Sequence, residues 1–377
     1  MYDVTDEVIQ LENGNWGMMA RPVQTAYEHH LRVVNRRGSF YGRREYPADF
    51  EVVRARVARS LGVAVEEIAL TRGATEALQC LIGGYNRLRP GDAVLHADLD
   101  YDSMQTAMAW LKARRGADLV TIALPEPATH QSLIDAYAAA LAANPRVRLL
   151  LLTHVSHRTG LVLPVAEIVE MARARGVDCI VDSAHAWGQI DFTLPDLKAD
   201  FVGLNAHKWI GAPVGVGVLY CRRERIADID PFMGEPQTDD EDVRARVHTG
   251  TANFAAFLSV PDALDMHDAI GPAYKAARLR SLRDRWAEQV RGYGAIEVLT
   301  PRDPRLTCAI TSFRLRGRTT PRENAALARE LLEKHRIFTV HRTGVARGAC
   351  VRVTPACFTS EDDIDRLVSA LRLLGRA

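Results

Sequence analysis

The chain has 377 residues, 47% of them apolar and 25% charged, with a formal net charge of +1, which is the balance of a globular protein with a large core and two or three domains. That charge excludes the dense basic footprint of a nucleic-acid binder and gives no pull toward an anionic membrane surface. The opening "MYDVTDEVIQLENGNW" has neither a basic head nor an apolar leader stretch, and no run nears the roughly 18 apolar residues of a membrane span, so a cytoplasmic protein is expected.

In chain order, seven apolar runs read as strands: "EEIALT" (66 to 71), "AVLHAD" (93 to 98), "DLVTIALP" (118 to 125), "VRLLLLTHV" (147 to 155), "DCIVDSAH" (178 to 185), "FVGLNAHK" (201 to 208) and "VGVGVLYC" (214 to 221). Several lack alternation, the mark of strands buried on both faces, and stretches of helical spacing such as "PVAEIVEMARARG" separate them. The expectation is an α/β domain with a seven-stranded, mostly parallel sheet, whose last two runs pair as an antiparallel edge. The polar "GEPQTDDEDVRAR" (234 to 246) is expected to be a mobile loop. Beyond Pro261 the texture changes to a long charged helix, then short strands in "TCAITSFRLRG", "FTVHRT" and "ACVRVTP", and helices in "PRENAALARELLEKHR" and "SEDDIDRLVSALRLLG". This reads as a small α+β domain over 263–377, after a large domain over 21–262. The six cysteines, at 80, 179, 221, 308, 350 and 357, form no Cys-x-x-Cys pair and read mostly as reduced core thiols.

Open parallel sheets bind ligands beyond the carboxyl ends of their strands, and the residues found there form a set. After the first strand, "TRGATEAL" starts a helix with Gly73, Ala74 and Thr75, whose free N–H groups and positive helix end suit a phosphate, although small residues also cap ordinary helices. After the second, Tyr101 stands where a flat ring could stack on a planar ligand. After the fourth, "THVSHRTG" gathers His154, Ser156, His157 and Arg158; its His-x-x-His spacing lacks an acidic or thiol companion, so no metal is expected. After the fifth come Asp182 and His185, and a carboxylate ending an apolar run needs a cation to meet it. After the sixth, "NAHKWIGAP" places Lys208 where burial disfavours its ammonium form. A phosphate cup, a stacking ring, a buried carboxylate and a buried lysine together are what pyridoxal 5'-phosphate requires.

On "LENGNWG", "TRGATEAL", "DLDYDSM", "HVSHRTGLVLPV", "VDSAHAWG", "NAHKWIGAPVGVGVLY", "HTGTAN" and "VRVTPACFTSEDDID", the chain resembles the class V aminotransferase family of fold-type I pyridoxal-phosphate enzymes. Its isopenicillin N epimerase-like branch is the most similar. The resemblance implies that Lys208 carries the cofactor as a Schiff base, Asp182 holds the ring nitrogen, His185 and His157 lie near the ring oxygen, and Tyr101 stacks on the ring. It places Gly73, Ala74, Thr75, Asn205 and His207 around the phosphate, and Thr251 at the phosphate of a neighbouring subunit, hence a homodimer with shared sites. It gives Arg352 the substrate carboxylate. Residues 1–20 are expected to form an arm near the active site, and Asn13, Trp16, Tyr41, Arg43, Arg158 and His341 are expected to supply the pocket for the substrate side chain.

Three positions depart from the family's cysteine desulfurases: His157 replaces an asparagine, Asn205 a serine, and Arg347 the sulfur-accepting cysteine. Persulfide chemistry is therefore not expected. The remaining readings are an epimerase, racemase or aminotransferase working at the α-carbon of an amino acid, a β-eliminating C–S lyase, and a non-enzymatic pyridoxal-phosphate-binding protein. No basic extension or helix-turn-helix supports the last.

Overall fold

The structure, a computed structural model, describes residues 1–234, 241–248 and 250–376. Positions 235–240 of the expected polar loop, and Thr249 of "HTGTAN", lie outside the described residues.

The first strand, β1 (Ile9–Gln10), belongs to an arm ahead of two helices, α1 (Arg21–Arg44) and α2 (Tyr46–Leu61). A single sheet then takes all seven expected strands: β2 (Ile68–Thr71), β3 (Ala93–Ala97), β4 (Asp118–Ile122), β5 (Val147–Thr153), β6 (Asp178–Ser183), β7 (Phe201–Asn205) and β8 (Gly217–Cys221). Helices α3 (Ala74–Gly84), α4 (Asp102–Arg115), α5 (His130–Ala143) and α6 (Val165–Arg173) cross between them. The non-alternating runs are buried throughout β2, β3, β7 and β8, as strands covered on both faces must be.

The strand order is β2-β8-β7-β6-β5-β3-β4. The strands from β7 to β4 pair in parallel, and β8 runs antiparallel to both its neighbours. The reversed strand is thus internal, not the edge expected from sequence, because β2 pairs along its open side from Ile68↔Tyr220 to Thr71↔Gly217. As a result α3 leaves β2 and passes over β8, β7 and β6, which sets its N-terminus beside the end of β7.

After α7 (Phe254–Leu258), α8 (Val260–Ile270) and α9 (Pro272–Val290), a second, antiparallel sheet forms. It is built from β9 (Ile296–Val298), β10 (Thr311–Leu315), β12 (Val340–Arg342) and β13 (Cys350–Val353) in the order β12-β13-β10-β9. Its helices are α10 (Pro321–His335) and α11 (Glu361–Leu374), and β11 (Ile337–Phe338) pairs in parallel with β1. Both helices begin with capping boxes, Thr320 with Glu323 and Ser360 with Asp363, each contributing about 1 kcal/mol. Ile364, Leu367, Val368 and Leu371 line the buried face of α11, an i, i+3, i+4, i+7 stripe, at roughly 2 kcal/mol of stabilisation per side chain. Strand β9, only three residues long, is absent from the sequence reading because it is too short to show a period. Among the described residues no helix is long and apolar enough to cross a membrane.

Candidate active site

The carboxyl ends of the central strands open on a cavity of about 660 Å³. A larger groove of about 1230 Å³ runs along residues 1–10 but gathers none of the candidate cofactor residues.

At one end stands α3, with Gly73 as its N-cap. Its first N–H groups have no helical carbonyl ahead of them, so they and the positive helix end face the cavity. The Ala74 N–H donates to Asn205 Oδ1 at 2.7 Å, which ties the end of β7 to the helix start, and Thr75 lines the opening. His207 Nδ1–H donates to the Val216 carbonyl at 2.8 Å, and burial pulls this imidazole down to about 4. A Cβ on Gly217 would lie 2.4 Å from the Gly73 carbonyl carbon, so β8 can pass this close beneath the loop only without a side chain.

Lys208 and Asp182 occupy the centre. Lys208 Nζ is 3.0 Å from His185 Nε2, while the indole N–H of Trp209 donates to His185 Nδ1 at 3.3 Å. The neutral imidazole therefore keeps its proton on Nε2 and offers it to the amine, an arrangement that favours the uncharged lysine. Burial drives His185 well below its ordinary value and pulls Lys208 down to about 8. Asp182, in register with Thr153 and Gly203, accepts the Ala184 N–H at 2.9 Å. Burial pushes its carboxyl up, against the opposing pull of Lys208. A buried carboxylate only partly compensated in this way is ready to receive a cation.

Tyr101 caps α4 and is 38% exposed, its ring edge-on to His157 with centroids 5.1 Å apart. His157 is buried, held at about 3 by burial, and its Nδ1 has no partner. His154 turns the other way, with its Nδ1 3.3 Å from Ser183 Oγ, so the two histidines of the His-x-x-His spacing diverge.

At the far end Arg352 is 1% exposed. Its Nη1 donates to the His157 carbonyl at 2.7 Å and its Nη2 to both oxygens of Glu12, at 2.5 and 2.8 Å. A second guanidinium, Arg342, lies 3.5 Å from Glu12; burial and then Arg352 bring it down to about 10. Two arginines share one carboxylate, which leaves one positive charge for an incoming carboxylate. Sequence reasoning missed Glu12 and Arg342; the signal for Glu12 was an acid directly after the apolar Ile9 and Leu11 of the arm.

The other residues expected at the substrate are placed differently. Asn13 is consumed by Thr354, through its N–H to Oγ1 at 2.7 Å and its Nδ2 to the carbonyl at 2.8 Å, so it pins the arm. The Tyr41 hydroxyl donates to Asp49 at 2.6 Å inside the α1–α2 pair, and the helix leaves Arg43 exposed. Trp16 is 52% exposed, and none of these four lines the protomer's cavity. Arg158 is spent on Asp102 and the Thr343 carbonyl, whereas His341 does line the cavity. Thr251 is exposed and away from it. The arm itself lies against the lysine: the Gly17 N–H donates to the His207 carbonyl at 2.8 Å, and a Cβ on Gly17 would overlap the Lys208 carbonyl oxygen at 1.8 Å.

The family model described as aminotransferase class-V matches residues 20–367. The chain belongs to the class-V aminotransferase family. Among curated members, the isopenicillin N epimerase of Streptomyces clavuligerus is 31% identical over 97% of this chain and 95% of its own length. That of Amycolatopsis lactamdurans is 30% identical over 98% and 96%. A probable chloroplastic L-cysteine desulfhydrase of Arabidopsis thaliana is 33% identical, but over 48% of this chain and 40% of its own. In fold, this class-V aminotransferase chain is similar to a cystine C–S lyase solved with cysteine persulfide, at a TM-score of 0.84 and 22% identity over 97% of this chain and 98% of that one. It is also similar to a cysteine desulfurase of Thermococcus onnurineus, at 0.83 and 21% over 98% and 95%.

Proposed function

We propose that this protein is a pyridoxal 5'-phosphate-dependent enzyme acting at the α-carbon of an amino acid, an epimerase or racemase of the isopenicillin N epimerase kind, with transamination as its nearest variant. The observation that carries this reading is the grouping of Lys208, His185 and Asp182 in one cavity, between a helix N-terminus and a pair of arginines. The donor set fits the cofactor. A helix end with Gly73, Ala74, Thr75, Asn205 and His207 suits a phosphate, the partly compensated Asp182 suits a protonated ring nitrogen, and His157 lines the same cavity as Tyr101 and His185.

When bound, the cofactor supplies an electron sink for a bond broken at the substrate's α-carbon. Lys208 would hold it covalently and, once displaced by the substrate amine, would be free to take the α-proton; burial lowers that amine from its ordinary value to about 8, which eases loss of its proton. Arg352 and Arg342 would orient the substrate through its carboxylate, with Glu12 retained as the counter-charge.

A β-eliminating C–S lyase would use the same residues, and relatives of both kinds exist. Two features favour the epimerase. The epimerases match nearly end to end. In addition, no described residue lining the cavity is a cysteine, since Cys350 is buried in β13 and Arg347 is exposed with its guanidinium on the Glu126 carbonyl. A panel of amino acids, scored for change in the visible band and then for product, tests the reading. Inverted amino acid supports it; stoichiometric keto acid with a released thiol would replace it with the lyase.

The reading extends to a cytoplasmic homodimer with shared sites. Phe40, Val52, Val214 and Met233 are exposed apolar side chains available to a partner, and Thr251 stands outside its own cavity. Mixing Lys208→Ala with Thr251→Ala subunits should restore activity through one intact site per heterodimer; an active monomer in sedimentation would overturn sharing.

A further inference from the structure

Inversion at a carbon needs a proton delivered on the face opposite the one from which it was taken. Lys208 by itself serves one face. The strand order supplies the other. Lys208 follows β7, Asp182 lies on β6, and Tyr101 follows β3, with β5 in between. Strands lie about 4.8 Å apart, so a ring held at Asp182 would have the strand carrying Lys208 on one side and the strand leading to Tyr101 on the other.

Tyr101, Asp102, His157 and His341 line the same cavity, and each side chain can carry a transferable proton. Asp102 is held down at about 2 by His157 and Arg158, so it has no proton to give. His157 would have to donate as an imidazolium, which burial suppresses to about 3. His341 lines the cavity from β12 of the second sheet, not from a strand end of the sheet that carries Lys208 and Asp182. Tyr101 is left, its ring plane set by the edge-on contact with His157 at 88°, 38% exposed so that its hydroxyl can re-equilibrate with water, and near enough to Arg342 for the two to interact electrostatically.

We infer that Tyr101 is the second proton-transfer group of the enzyme, working on the face of the substrate α-carbon opposite Lys208. The inference rests on the epimerase reading. In one direction the Lys208 amine takes the α-proton and the C–H electron pair stays with the carbon. The Tyr101 O–H then breaks, its proton forms the new C–H bond on the other face, and its oxygen keeps the electron pair. Water reprotonates the phenolate and accepts the proton from Lys208, so the cycle closes without a net gain or loss. In the reverse direction the two residues exchange roles.

The test uses the holoenzyme in deuterium oxide with an amino acid that the wild type inverts, and compares Tyr101→Phe, which keeps the ring but lacks the hydroxyl. Inversion should fall about 100-fold or more, the lower range of a lost acid–base group, while α-proton exchange falls far less in the epimer whose proton Lys208 takes and falls with inversion in the other. Placement is read separately by nitrating the apoprotein with tetranitromethane and mapping by mass spectrometry: Tyr101 should be labelled, and loading with pyridoxal phosphate should protect it, with the 69% exposed Tyr274 labelled in both. Inversion by Tyr101→Phe within about threefold of wild type, loss of inversion in His341→Gln but not in Tyr101→Phe, or nitration of Tyr101 unaffected by cofactor would each overturn the assignment. A wild type that yields only keto acid or eliminated product would instead remove the epimerase reading, and the assignment with it.

Discussion

The two ends of the cavity are built by opposite means. The anion end is mostly backbone, a helix start and the loop above β8, joined by the side chains of Asn205 at the end of β7 and His207 just beyond it, all carried by one sheet. The arginine end draws on four distant segments, through the side chains of Glu12 of the arm, Arg342 on β12 and Arg352 on β13 and the backbone carbonyl of His157 after β5. The first needs little beyond the sheet to exist. The second forms only when both units and the arm are in place, and its charges must balance in a buried setting. A site built this way can hold a constant cofactor rigidly at one end while the other end changes with the substrate.

Substitutions can separate the two ends. The largest effect is expected between them: Lys208→Ala should leave a protein that no longer holds pyridoxal phosphate in borohydride-reducible form, with activity lower by at least about 1000-fold. A reducible adduct persisting at another lysine would refute the assignment. Asp182→Asn should retain cofactor yet lose about 100-fold or more in turnover, because the charge opposite the ring nitrogen is gone; spectral titration and single-turnover kinetics check both halves. At the arginine end, Glu12→Gln leaves Arg352 buried without its counter-charge and should cost about 3 kcal/mol of stability. Denaturant melts would show this, with cofactor affinity nearly unchanged. At the anion end, Gly217→Ala should cost about 1–3 kcal/mol through the clash with Gly73 and, unlike Glu12→Gln, weaken cofactor binding measured by equilibrium dialysis.

The smallest effect is a pH dependence of the cofactor-free protein. The folded-state value of Lys208 is lowered from 10.5 to about 8, so between those values the unfolded chain binds more protons than the folded one. Stability should therefore rise with pH across that window, and the cost of burying the charged amine should be fully present below it. Because Lys275 is lowered to about 8 as well, the useful comparison is wild type against Lys208→Met: the difference in melting temperature between them should shrink as pH rises from 8 toward 10.

This division also governs what could be read from the chain alone. All seven strands of the large sheet are visible as apolar runs, and the anion end follows from them because strand ends and helix starts are local features. Lys208, Asp182, His185 and Tyr101 share the cavity for the same reason: each directly follows or ends a strand of one sheet. The reversed strand was visible but misplaced, since nothing local in "EEIALT" says that it pairs outside β8. Glu12 and Arg342 were invisible as partners, being brought together by tertiary contacts, and the hydroxyl of Tyr41 was assigned to a substrate although Asp49, eight positions away, already claims it.

The arm has a consequence for synthesis. The bond from the Asn13 N–H to Thr354 Oγ1 spans 341 positions, and β1 pairs with β11. Residues 9–13 of the arm therefore have no docking partner until the chain has been made as far as β11 and Thr354. The sheet from β2 to β8 has its own core and can consolidate first, whereas the clasp of Gly17 over Lys208 has to wait for the small unit to anchor the arm. Lys208 would thus be reached from solvent until the small unit forms and be enclosed last, so pyridoxal phosphate would have its easiest access before the arm settles.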